Sequence, residues 1–178
     1  MKHLIIFFAL TLSVFYSYAQ KTLAFPFQGG REVMMTYFKD NIVIPESLKK
    51  TKATGTAVLK FTADQKGAIQ KIVIYYADDY SLTIPFIEAL KKSDRKWVIP
   101  DEEKVHDFVI SFTVNLIPQN KVSAAVQKQV YDAYQHRRPI FSTNQVPLDM
   151  ATLLPAIITT YWRNFFTIKL IIQNRWLF

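Results

Sequence analysis

A chain of 178 residues with 50% hydrophobic and 15% aromatic side chains can bury one domain core, which excludes a disordered chain. It contains no cysteine, which excludes a disulfide framework and a lipid-anchored lipoprotein. The formal net charge of +8 is dispersed, with small clusters at Lys49-Lys50, Lys91-Lys92 and Arg137-Arg138. It reads as a solvated basic surface weakly attracted to anionic surfaces or acidic proteins, not as a nucleic-acid stripe.

The chain opens Met1-Lys2-His3, a positively charged start. An apolar run from Leu4 follows, diluted by Thr11 and Ser13, and ends at Ser17-Tyr18-Ala19. Charged start, apolar centre and small-x-small end are the parts of a cleavable signal peptide over residues 1–19. Polar residues return before the run reaches the length of a membrane span, about 20 residues. Export to the periplasm, or secretion, is therefore expected. Cleavage would remove the one candidate anchor.

Pro26 and Gly29-Gly30 mark a lead-in loop. Val33, Met34, Tyr37 and Phe38 recur at helical spacing, which predicts a helix over residues 31–41 ended by Pro45. Residues 54–63 alternate, with Ala57, Leu59, Phe61 and Ala63 on one face, as in a half-buried strand. Asp64-Gln65-Lys66-Gly67 is a hairpin turn: the aspartate opens it and the glycine takes the left-handed position. Residues 68–76 are the returning strand. Asp78, Asp79 and Ser81 are helix caps, and Leu82, Phe86, Ala89 and Leu90 form the apolar stripe of the next helix. Pro85 is tolerated in a first turn, which places the start of that helix near residues 82–84. Residues 107–116 alternate most cleanly, with Phe108, Ile110, Phe112, Val114 and Leu116 on one side.

After Pro118 the character changes. Val122, Ala125, Val126, Gln129, Val130, Ala133 and Tyr134 make a helical stripe. Residues 151–162 read as a helix interrupted at Pro155, and residues 166–172 alternate as a short strand. Asp149, Arg163 and Lys169 argue against a membrane span there. The tail is apolar enough to need a partner surface, in cis or in trans.

Residues 27–116, about half the chain, resemble the C-terminal domain of TonB. The likeness lies in an ordered set: a glycine pair before the first helix and Asn41-Ile42-Val43-Ile44-Pro45 where the family has an aromatic-proline step. Gly55-Thr56-Ala57-Val58-Leu59-Lys60-Phe61 is similar to its G-x-V-x-V-x-F strand, followed by the Asp64–Gly67 turn. Leu82, Phe86 and Ala89-Leu90 resemble the second helix, Trp97 and Pro100 the exit after it, and residues 108–116 the final strand. Position 44 is Ile and acidic residues follow Pro100, two departures from the family. The resemblance implies an α+β fold: a small antiparallel three-stranded sheet with two helices packed on it, followed by a mostly helical extension. The division is then residues 1–19 as signal, 20–118 as the TonB-like domain and 119–178 as the extension.

The resemblance also implies binding by strand addition, in which backbone groups of an exposed edge pair with an extended segment of an outer-membrane receptor or another periplasmic protein. The strand over residues 107–116 is the expected edge, with Asp107, Val109, Ser111 and Thr113 flanking the guest. The alternative is an accessory or assembly subunit whose tail mediates oligomer or partner contacts. An enzyme is not expected, and no cofactor or metal. His106 and His136 lie in different elements, and no G-x-S-x-G elbow, H-E-x-x-H helix or phosphate-cradling glycine loop occurs. Asp78-Asp79 and Asp101-Glu102-Glu103 read as cap and solvated loop, not as catalytic or calcium-binding carboxylates. Trp97 reads as a core plug.

Overall fold

The computed structural model describes residues 25–116, 124–142 and 147–161. The expected signal segment and the strand expected at 166–172 lie outside these residues. The elements in chain order are α1 (Gly30–Asn41), α2 (Glu46–Thr51), β1 (Gly55–Asp64), β2 (Ile69–Ala77), α3 (Tyr80–Lys92), β3 (Val105–Leu116), α4 (Ala124–Gln135), β4 (Ile140–Phe141), β5 (Thr152–Leu153) and β6 (Ile157–Tyr161).

The hairpin forms as its turn chemistry dictates. Asp64 Oδ1 accepts the backbone N–H groups of Lys66 at 2.8 Å and Ala68 at 3.0 Å, and Gly67 sits at φ 73°. β1 pairs antiparallel with both β2 and β3, so β1 is the sheet's centre and its alternation sets the faces. Ala57, Leu59, Phe61 and Ala63 are all buried beneath α1 and α3, together with Phe108, Ile110, Phe112 and Val114 of β3. Phe112 is the meeting point: it stacks on Phe86 of α3 at 4.7 Å between ring centroids and meets Phe38 of α1 edge-on at 5.4 Å. Trp97 fills the other end as a core plug, 2% exposed and 4.5 Å from the Phe61 ring, with its indole N–H on Ser93 Oγ at 3.0 Å.

The sheet is larger than the three antiparallel strands expected. It has six strands in the order β4-β2-β1-β3-β5, with β6 also on β3, and it is mixed because β5 and β6 run parallel to β3. The segment expected as an interrupted helix over residues 151–162 is instead β5 and β6. Pro155, which has no N–H, lies between the two strands. The extension is thus part strand: α4 lies where the stripe predicts a helix but buries none of its residues. Two smaller differences concern helices. α3 starts at Tyr80, so Pro85 lies in its second turn; Asp79, as N-cap, accepts the Ser81 N–H at 2.9 Å and fixes that earlier start. α2, six residues between Pro45 and the left-handed Lys52, is too short to show a period. Among the described residues no helix is long and apolar enough to cross a membrane.

Candidate functional site

Asp107, Val109, Ser111 and Thr113 share the face of β3 that points away from α1 and α3, opposite Thr62, Lys60, Val58 and Thr56 of β1. Three of the four are already engaged. Asp107 Oδ2 pairs with Lys60 Nζ at 2.8 Å and its Oδ1 accepts the Thr62 hydroxyl at 2.5 Å. The Val109 carbonyl accepts the Leu154 N–H at 2.8 Å. Thr113 Oγ1 lies 3.1 Å from Thr56 Oγ1. β5 pairs with Phe108 and Val109, and β6 with residues 112–116. The expected free edge at β3 is therefore taken by the chain itself. Strand addition there would require β5 and β6 to leave.

Burial is the largest influence on Asp107 and pushes its carboxyl up. Hydrogen bonds from Lys60 and Thr62, with the Lys60 charge, outweigh it and hold the carboxyl below the usual carboxylate range. Lys60, itself buried, also donates to the Pro147 carbonyl. This cluster ties the far face of the sheet to the connection leading into β5.

The open edge lies on the other side. β4 covers β2 only at Tyr76 and Ala77, and Ser142 N–H donates to the Tyr75 carbonyl at 2.9 Å. Along residues 69–74 no described strand pairs with the outer side of β2. Register shifts leave Gln70 and Tyr75 as extra residues on β2, so residues 71–74 form a regular ladder between two bulges. Opposite Leu59 and Phe61 respectively, Ile74 and Ile72 face the helices; both are half-buried, as is Ile87 of α3. Together with Lys71, Lys91 and Asp94 they line a groove of about 810 Å³. Hydrophobic patterning cannot reveal this, because which of β2 and β3 is the edge depends on non-local pairing.

A second groove of about 590 Å³ runs between α1 and β6, with Val43 and Ile158 exposed at its rim. A third, of about 250 Å³, lies beside α4 and includes Asp79, Ser81, His136 and Arg137. Its polar groups are committed to structure. Asp79 accepts from Ser81 and from the Arg138 N–H, and His136 Nδ1 lies 2.6 Å from the Asp132 carbonyl. Arg137 stacks over Tyr134 at 4.5 Å, approaches Asp78 Oδ2 at 3.6 Å and bonds the Thr54 carbonyl, so it pins α4 to the start of β1.

His106 links Glu103 Oε2 at 2.6 Å to Thr152 Oγ1 at 2.7 Å. The order carboxylate, imidazole, hydroxyl is that of an activated nucleophile. Here His106 is only 8% exposed, and Thr152 lines none of the three grooves. The arrangement clamps β5 to the loop before β3. Among the described residues no three His, Asp or Glu side chains converge on a metal position.

Compared with protein-family models, curated proteins and solved structures, the chain matches none.

Proposed function

We propose that the chain is an exported, non-catalytic interaction module of the TonB C-terminal type, and that it binds an extended protein segment by strand addition. The observation that carries this reading is the outer side of residues 69–74, which no described strand pairs and where Asp94 takes the Ile69 N–H, set against α3 in a groove of about 810 Å³. An unpaired edge offers backbone donors and acceptors, and half-buried isoleucines beside it offer pockets for alternate side chains. The signal-like N-terminus and the ordered likeness to the TonB domain support a periplasmic setting and a receptor segment as guest. Part of the tail turns inward: Leu154, Ile157 and Tyr161 are buried in the core, which favours the binding module over a tail devoted to partner contacts. Titrating the isotopically labelled protein with extended periplasmic receptor peptides tests the reading. Amides of residues 69–74 should shift and exchange more slowly with solvent, while those of β3 stay still. Shifts absent from residues 69–74 would overturn it.

A further inference from the structure

We infer that the guest of the β2 edge is an acidic extended segment: apolar where it crosses Ile72, Ile74 and Ile87, and carrying Asp or Glu beside Lys71 and Lys91. The inference rests on the strand-addition reading and adds the chemistry of the partner.

Lys71 and Lys91 are exposed, border the groove, and form no ion pair with a described residue. Lys71 lies on the ladder itself, on the face away from the helices, opposite Thr62. Lys91 follows Ile87 by one helical turn and so stands on the helix side, near the Ile69 end. The one acidic residue in the lining, Asp94, is already compensated. Its Oδ1 accepts the Ile69 N–H at 2.7 Å and its Oδ2 lies 3.8 Å from Arg95 Nε. The groove thus presents one uncompensated cation on each face of the position a guest strand would occupy.

The same charges argue against a second copy of the chain. Pairing β2 with β2 about a two-fold axis near the middle of residues 69–74, at residue 71 or 72, would set the two Lys71 side chains directly opposite or on the diagonal, where like charges repel. A lysine on an edge strand discourages self-association in this way. An acidic guest turns that repulsion into attraction, in a protein whose net charge is already +8.

The test uses three short peptides of identical apolar alternation whose polar positions are all Glu, all Gln or all Lys. Each is titrated into the labelled protein and into the variant Lys71→Glu/Lys91→Glu, with binding read at the amides of residues 69–74. The Glu peptide should bind the parent tighter than the Gln peptide by about tenfold at low salt, and the order of Glu and Lys peptides should reverse in the variant. Equal binding of Glu and Gln peptides at these amides would overturn the acidic guest and leave strand addition standing. Shifts scattered over the Lys49, Arg137 and Lys71 regions alike would mean diffuse electrostatics and would also overturn it. If none of the peptides moved residues 69–74 in either protein, strand addition at this edge would fall as well.

Discussion

The Tyr161 hydroxyl donates to the Ala53 carbonyl at 2.9 Å, which ties the end of β6 to the residues leading into β1. The ring is 5% exposed, so the bond closes the core over α2. Tyr161→Phe keeps the packing but leaves that carbonyl without its partner. A loss of about 1 kcal/mol in urea unfolding is expected, with faster hydrogen exchange in β6. An unchanged midpoint would show that water replaces the hydroxyl at no cost.

Burial pushes the Tyr161 phenol up to about 12. A raised folded value contributes stability that is fully present below the unfolded tyrosine value, about 10, and is lost as pH rises toward the folded value. Stability should therefore fall between those two pH values, and Tyr161→Phe should flatten the fall. Phenolate absorbance followed alongside unfolding checks it: Tyr161 should ionise last or only on unfolding.

Removing residues 117–178 strips β5 and β6 from β3. The buried Leu154, Ile157 and Tyr161 go with them. At about 1.5–3 kcal/mol for each large buried side chain, the loss rivals the whole stability of a small domain. The shortened chain should be insoluble or unfolded. A monomeric fragment with a native-like amide spectrum would show that the first three strands suffice.

β1 and β3 were legible because each alternates over ten or more residues and one face of each is the core; β2 was legible from its Ile, Val and Tyr content and the turn before it. The Asp64–Gly67 turn was legible from local chemistry alone. β5 and β6 were not: two and five residues are too short to show a period, and parallel pairing with β3 comes without a turn signal between the partners. The misplaced edge follows from that. Val109, Ser111 and Thr113 have the same alternating pattern whether water or the strands β5 and β6 lie beside β3. The clamp of Glu103, His106 and Thr152 also spans elements far apart in sequence. A helix over residues 151–162 would not place Thr152 beside His106.

Lys60 and Asp107 make a pH-dependent prediction. Lys60→Met keeps the aliphatic stem but leaves the Asp107 carboxylate, 33% exposed, without its cation. A loss of about 1–2 kcal/mol is expected at neutral pH, discounted for solvent around the carboxylate. The depressed Asp107 contributes stability above the unfolded carboxylate value that is lost as pH falls through its lower folded value. The gap between parent and variant should therefore narrow on acidification. Urea unfolding at stepped pH measures this, and a constant gap would show that Lys60 acts through packing and its bond to Pro147 alone.

Gly67 is held by two constraints that a pair of substitutions can separate. Its φ of 73° disfavours a side chain, and a Cβ there would lie 2.4 Å from the Trp97 carbonyl oxygen and 3.0 Å from the Trp97 nitrogen. Backbone atoms cannot swing aside as a side chain can. The turn is also anchored on that segment, because Arg95 N–H donates to the Gly67 carbonyl at 2.8 Å. Asparagine tolerates the left-handed region better than alanine. If φ alone mattered, Gly67→Asn would be clearly milder than Gly67→Ala. Because the contact with Trp97 dominates, both should cost more than the roughly 1 kcal/mol expected of backbone conformation alone. Both should also move Trp97 away from Phe61, visible in near-ultraviolet circular dichroism. A mild asparagine beside a severe alanine would put the weight on φ.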